Sequence, residues 1–172
     1  VIRFDNRDCG RSSWMDDAPV PALSEIVAAL KAGREPTVPY TLDDMASDCL
    51  GLLDALNIAA AHIVGISMGG AIAQLLAARH TERVRSLTCI MASSGHHGLP
   101  GPTPDAATAL FAPLPRERTR ENIIADGIRR YRVNASPGYP SDEAWLQELF
   151  AREFDRGFNP RGVARQLAAI IA

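Results

Sequence analysis

The sequence predicts an α/β fold in which parallel strands pack against helices and a helical cap follows. Two observations favour this fold class. Two short apolar segments, each typical of a strand, are separated by a helical segment, and the chain shows helical spacing without strand-like segments after residue 95. Strands that alternate with helices pair in parallel, because the helix carries the chain back along the sheet. With 47% hydrophobic and 22% charged residues, the composition is that of an ordinary globular domain.

The first third of the chain predicts a strand and two helices. Val1–Phe4 has the composition of a short strand, and a turn rich in aspartate and glycine follows over residues 5–12. Apolar residues at helical spacing predict a helix over 22–32. The next helix starts after Thr41, with Asp44 at the third helical position. This spacing predicts a capping box, with Asp in place of the usual Glu or Gln.

Two buried strands and the helix between them form the predicted centre of the fold. Residues 62–66 and 87–91 are short apolar runs, and each predicts a buried strand. The helix predicted over Met68–His80 is apolar on nearly every side, so we expect it to pack between other layers.

The remainder of the chain is predicted to be helical. Residues 98–116 hold five of the 12 prolines. The spacing of apolar residues predicts helices around 104–111, 117–132, 141–154 and 160–172. Asn159 is the expected cap of the last helix, with Pro160 at its first position. The predicted organisation is a partial core over 1–98, a cap over 99–160 and the start of a helix that returns to a core over 161–172.

Residues 65–70, Gly-Ile-Ser-Met-Gly-Gly, lie between the first buried strand and its helix, which is the setting of a G-x-S-x-G nucleophile elbow. A serine on so tight a turn has strained backbone angles. We expect Ser67 to present its hydroxyl at the helix N-terminus, where the Met68 backbone N–H can donate to an oxyanion. The alternative is a structural serine in a glycine-rich turn. Three glycines are expected to remove steric collisions at this turn: Gly65, Gly69 and Gly70.

With these motifs, residues 1–95 resemble the middle of an α/β-hydrolase. Phe4–Ser12, Tyr40–Met45 and the elbow resemble, more narrowly, the aclacinomycin methylesterase-like branch, and the loop Leu99–Pro104 is similar to that branch too. The resemblance implies a partial α/β-hydrolase fold with a helical cap. It also implies a serine hydrolase, mainly of the esterase type, that uses no cofactor.

Both ends of the chain lie inside apolar patterns, which predicts an internal fragment because protein termini are usually polar. The resemblance implies that three strands and an oxyanion loop precede Val1. It also implies that the catalytic acid and histidine follow Ala172, since the usual order is serine, acid, histidine. We therefore expect this segment to be inactive alone and the full-length parent to carry the activity.

The four histidines have different expected roles. His62 opens the strand at the end opposite Ser67, and His80 ends the helix that runs away from it, so both are interpreted as structural. His96 and His97 follow a strand at its carboxyl end, where open α/β sheets bind ligands. We expect them to line the pocket, and a solvated loop or a catalytic base stays open as an alternative.

A charged turn offers a second candidate site. Asp5, Arg7 and Asp8 follow the first predicted strand, and two carboxylates with an arginine could serve acid–base chemistry. Stabilisation of the turn is the favoured interpretation, because Asp and Asn side chains hydrogen-bond to nearby backbone in such turns.

The predicted function is hydrolysis of a carboxylic ester through an acyl-enzyme on Ser67. The alternatives are an acyltransferase, a cofactor-free haloperoxidase-like enzyme or perhydrolase with the same elbow, and a non-catalytic hydrolase-like binding module. The cap is expected to set substrate choice. Its apolar side chains, Phe111, Trp145 and Phe150 among them, favour a small hydrophobic ester.

Composition excludes several other classes. The net charge of −2 argues against a nucleic-acid binder, which usually carries a basic stripe. No apolar run reaches the roughly 18–20 residues of a membrane span. The three cysteines lack metal-ligand spacing, so no metal site is expected, and reduced thiols favour a cytoplasmic location. The oligomeric state stays open.

Overall fold

The computed structural model of the chain describes residues 1–96 and 98–172. The described residues form two strands and seven α-helices. In chain order the elements are α1 (Leu23–Lys31), α2 (Leu42–Ala55), β1 (Ala61–Ile66), α3 (Met68–Arg79), a 3₁₀ turn (Thr81–Arg83), β2 (Val84–Ile90), α4 (Pro104–Phe111), α5 (Arg120–Asn134), α6 (Glu143–Arg156) and α7 (Pro160–Ile171). From α1 onward, the predicted order of helices and strands is confirmed, with ends that shift by a few residues.

β1 and β2 pair in parallel through α3, as the α/β prediction requires. The register places Ile63 beside Leu87 and Ile66 beside Ile90, so the two strands end at the same level. α3 packs against both strands. Gly65 is buried, whereas Val64, on the opposite face of β1, is 65% exposed. Within the described residues, that second face of the sheet is therefore open to solvent.

Two sequence predictions about the strands are wrong. Val1–Phe4 does not form a strand and all four residues are exposed. It stands apart from β1, and a segment without a neighbour to hydrogen-bond with gains no sheet stabilisation. The predicted burial of both central strands is also wrong, since most residues of β1 and β2 are half-buried or exposed. A parallel sheet buries its strands when helices cover both faces, and here α3 covers one.

The predicted capping box at the start of α2 is confirmed. Thr41 Oγ1 accepts from the Asp44 N–H at 3.3 Å, and the Asp44 carboxylate accepts from the Thr41 N–H at 2.7 Å. α2 and α3 then pack together. The core between α2, α3 and α7 consists of buried side chains: Tyr40, Met45, Ala46, Ile72 and Ala169.

The chain divides into two compact units, Val1–His97 with Asn159–Ala172, and Gly98–Phe158. The first unit holds the sheet, and the second holds α4, α5 and α6 around a core of Ile124, Ile128 and Leu146. None of the helices in the described ranges is long and apolar enough to cross a membrane.

Apolar side chains of α6 pack inside the second unit. Phe150 and Phe154 are partly buried and pack against its core. Trp145 meets the Tyr131 ring edge-on, with centroids 6.3 Å apart, and remains 47% exposed. Its role in lining a pocket stays a prediction.

Candidate active site

Ser67 occupies the junction between β1 and α3 in a strained conformation. Its backbone angles are φ 52° and ψ −120°, and the residue is exposed. A positive φ is costly for a residue other than glycine and persists only where the surrounding structure holds it. The Ser67 N–H donates to the Ile90 carbonyl at 2.8 Å, and its carbonyl accepts from the Gly70 N–H at 2.8 Å. The predicted strained, exposed serine at a strand–helix junction is confirmed.

Two of the three elbow glycines lie so close to neighbouring atoms that a side chain would not fit. A Cβ on Gly65 would lie 2.5 Å from the Gly69 carbonyl carbon, and a Cβ on Gly70 would lie 2.5 Å from the Ala92 Cβ. The prediction is wrong for Gly69, because a Cβ there would meet nothing within 4 Å. The backbone of Gly69 lies close to Gly65, but the space that a Cβ on Gly69 would occupy is open.

The first turn of α3 supplies hydrogen-bond donors beside Ser67. Met68 is the first residue of the helix. The first N–H groups of an α-helix have no acceptor within the helix, and the helix dipole makes them partly positive. The Met68 N–H is therefore expected to donate to the oxyanion that would form if Ser67 attacked a carbonyl carbon. This oxyanion role stays a prediction.

The chain leaves β2 through a second strained residue, which sequence reasoning did not single out. Met91 has φ 52° and is 73% exposed. Two residues later, the Ser93 carbonyl accepts from Gln74 Nε2 of α3 at 2.9 Å, and the same nitrogen lies 3.3 Å from the Gly70 carbonyl. Gln74 is the single polar residue in the apolar run 71–78 of the sequence. A single polar residue within an apolar helix is the sequence signal by which Gln74 could have been identified.

The histidines lie where the sequence places them, as far as the structure describes them. His62 Nδ1 is 2.7 Å from Ser86 Oγ, near the start of both strands and away from Ser67. His80 follows the last residue of α3. His96 is exposed in the segment after β2. His97 lies outside the described residues, and pocket lining by both residues stays a prediction.

The charged turn is held together by local and distant contacts. The Asp5 carboxylate accepts from the Arg11 N–H at 2.9 Å, which confirms the turn interpretation for this residue. Arg7 forms a two-pronged ion pair with Asp48 of α2, at 2.6 and 2.7 Å. Hydrogen bonding to Asp48 raises the pKa of the Arg7 guanidinium. The Asp5–Arg7 turn therefore contributes to structure.

Asp8 has a partner that sequence reasoning missed. Its carboxylate is buried and forms a two-pronged ion pair with Arg165 of α7, at 2.7 and 2.8 Å. The Met15 N–H and the Tyr40 hydroxyl also donate to it, at 2.7 and 2.9 Å. Burial alone would raise the pKa of Asp8, but the hydrogen bonds from Arg165, Met15 and Tyr40 lower it to about 2. Burial, with the neighbouring Asp8, raises the pKa of Tyr40.

Comparison with known proteins agrees with this geometry. The family model for the alpha/beta hydrolase fold matches residues 1–122. The chain is 31% identical over 170 residues to the rhodomycin D methylesterase DauP of Streptomyces sp. (strain C5), covering 88% of this chain and 51% of that protein. It is also 31% identical over 172 residues to a putative carbamate hydrolase, RutD, of Caulobacter segnis, covering 95% of this chain and 51% of that protein.

Solved structures show the same fold. A hydrolase from Pseudomonas aeruginosa PA01 matches 98% of this chain and 52% of its own, with a TM-score of 0.57 and 25% identity. The enol-lactonase of Burkholderia xenovorans LB400 matches 81% of this chain and 50% of its own, with a TM-score of 0.52 and 26% identity. The chain belongs to the α/β-hydrolase fold family, where it resembles the methylesterases. It spans about half the length of the curated relatives it matches.

Proposed function

We propose that the whole protein is a serine hydrolase that cleaves a small apolar carboxylic ester through an acyl-enzyme on Ser67. The observation that carries the proposal is the exposed Ser67 with φ 52°, at the N-terminus of α3. Strained residues of this kind cluster at active sites. Relatives named as a methylesterase and a carbamate hydrolase support hydrolysis of a carbonyl compound.

The proposed reaction has two stages. Ser67 Oγ attacks the ester carbonyl carbon while a base takes its proton, and the Met68 N–H donates to the oxyanion that forms. The intermediate then collapses, the bond to the alcohol breaks, and the protonated base returns the proton to the alcohol. Water attacks the acyl-enzyme in the same way, releasing the acid and restoring Ser67.

The base is proposed to come from a part of the whole protein outside residues 1–172. His62 lies five residues before Ser67 along β1, about 16 Å away at the rise of a strand. His80 follows the last residue of α3, about 20 Å from Ser67 at the rise of a helix. Both distances exceed the roughly 3 Å that proton transfer requires, so neither histidine is the proposed base. His96, exposed on the segment after β2, stays open as the alternative within the described residues. Without a base a serine hydroxyl is a weak nucleophile, so residues 1–172 alone are expected to be nearly inactive.

The test is hydrolysis of p-nitrophenyl acetate by the whole protein, in the wild type and in Ser67→Ala. Loss of the nucleophile is expected to lower kcat by about 10⁶-fold, as in subtilisin. Ser86→Ala is the matched control, because Ser86 is also exposed and its hydroxyl contacts a histidine, His62. Ser86→Ala is expected to keep the wild-type rate. Undiminished hydrolysis by Ser67→Ala would refute the proposal, and a wild type inactive on a panel of esters would favour a binding module.

A further inference from the structure

We propose that Gln74 is a positioning residue that fixes residues 91–95 beside Ser67, and that Met91, on this segment, discriminates between substrates by the size of their apolar part. This inference rests on the function proposed for Ser67. It adds two residues outside the elbow motif to the site.

The sheet register places Met91 next to the elbow. Ile66 and Ile90 are partners in the parallel sheet, so Ser67 and Met91 leave neighbouring strands at the same level. Neighbouring strands lie about 4.8 Å apart. Both residues have φ 52°, and the Ser67 N–H bonds to the Ile90 carbonyl at 2.8 Å. Two strained residues therefore stand side by side at the carboxyl end of the sheet.

Contacts from α3 hold the segment that starts at Met91. A carboxamide nitrogen carries two N–H donors, and those of Gln74 are directed at two backbone carbonyls. One belongs to Gly70, in the first turn of α3, and the other to Ser93. Ala92 packs over Gly70, where a Cβ would come within 2.5 Å of the Ala92 Cβ. Gln74 thereby joins the segment after β2 to the helix turn that follows the nucleophile.

Met91 presents an apolar side chain at this position. Met91 directly follows β2, and 73% of its surface is exposed. A flexible thioether side chain beside the reacting serine can contact the apolar group attached to the ester carbonyl. Each methylene that such a contact buries strengthens binding by about fourfold. Met91 would therefore favour a longer acyl chain over a short one, provided that Gln74 keeps the segment in place.

Gln74→Glu is the sharpest perturbation of this arrangement. Glutamate keeps the size of glutamine, removes both N–H donors and directs a carboxylate at two carbonyl oxygens. Gln166→Glu is the matched control in the same unit. Gln166 Nε2 also donates to a backbone carbonyl, that of Arg7, at 2.7 Å, and belongs to α7.

The experiment measures kcat and KM of the whole protein for p-nitrophenyl hexanoate and p-nitrophenyl acetate. Gln74→Glu and Met91→Ala are each expected to lower the hexanoate-to-acetate ratio of kcat/KM by about tenfold. The double variant is expected to lower it no further, because both changes act on one contact. Gln166→Glu is expected to leave the ratio unchanged. If Gln74→Glu does not fold, as judged by circular dichroism, Gln74→Met removes the same donors without adding a charge.

The outcomes separate this inference from the function on which it rests. An unchanged ratio in a folded Gln74 variant, or an equal fall in Gln166→Glu, would overturn the positioning role while Ser67→Ala still abolishes hydrolysis. A ratio that Met91→Ala leaves unchanged would overturn the discrimination by Met91. Full hydrolysis by Ser67→Ala would overturn the proposed function itself.

Discussion

The buried ion pair between Asp8 and Arg165 should stabilise the first unit strongly. We expect Asp8→Asn to lower the free energy of unfolding by about 3 kcal/mol, since removing one partner of a buried pair typically costs about 3–5 kcal/mol. Both side chains have no exposed surface. The asparagine could still accept from the Met15 N–H, which places the expected cost at the lower end of that range. The guanidinium of Arg165 would stay buried without a compensating charge.

The lowered pKa of Asp8 makes the stabilisation by this ion pair depend on pH. Its pKa falls from the ordinary 3.8 to about 2 in the folded protein. A shift of this size corresponds to about 2 kcal/mol of stability. Because the folded pKa is the lower one, this contribution is fully present above about pH 5 and is lost as the pH falls towards 2.

Urea unfolding of the whole protein, followed by circular dichroism, measures both effects. Asp48→Asn is the matched control, because Asp48 also forms a two-pronged pair, with Arg7, but its side chain is 40% exposed. An exposed pair contributes about 0–1 kcal/mol. The wild type should lose stability between pH 5 and pH 2 more steeply than Asp8→Asn. Equal losses of unfolding free energy in the two variants, or parallel pH profiles for wild type and Asp8→Asn, would show that the buried Asp8–Arg165 pair does not stabilise the first unit strongly.

Three further predictions follow from the local geometry. Thr41→Ala removes the N-cap of α2 and should cost about 1 kcal/mol in urea unfolding, whereas Ser47→Ala, within the same helix, should cost less. Gly65→Ala should prevent soluble expression or greatly lower stability, because its Cβ would meet backbone, whereas Gly69→Ala should be tolerated. Residues 1–172 alone should react with a fluorophosphonate at least about 10³-fold more slowly than the whole protein, because the base that activates Ser67 is proposed to lie outside this segment. Rapid reaction that His96→Ala abolishes would show that a base lies inside this segment.

Contacts between residues close in sequence could be predicted. The capping box joins Thr41 to Asp44, and Asn159 caps α7 as its position before Pro160 indicates. Ser67 belongs to the same group, because its strain comes from a turn of a few residues between an apolar strand and an apolar helix. In each case the residues that carry the pattern lie in one short segment of the sequence, although the Ser67 N–H also bonds to the distant Ile90 carbonyl.

Contacts between distant residues could not be predicted. Asp8 and Arg165 are 157 positions apart, and nothing in the local pattern of either residue indicates its partner. The exposure of β1 and β2 could not be predicted for a similar reason. The apolar composition of a strand indicates that the strand can be buried, but it does not indicate which element covers it. The open space beside Gly69 could not be predicted either. The motif contains the glycine, but whether a Cβ would collide depends on the three-dimensional path of the helix.

The proposal that Ser67 is the nucleophile is tested directly by locating the covalent adduct that forms when the whole protein reacts with a fluorophosphonate. Digestion and mass spectrometry identify the modified residue. We expect one adduct, on Ser67 in the peptide that spans β1 and α3, and no adduct at the same reagent concentration in Ser67→Ala. An adduct on Ser86, or equal labelling of the wild type and Ser67→Ala, would contradict it.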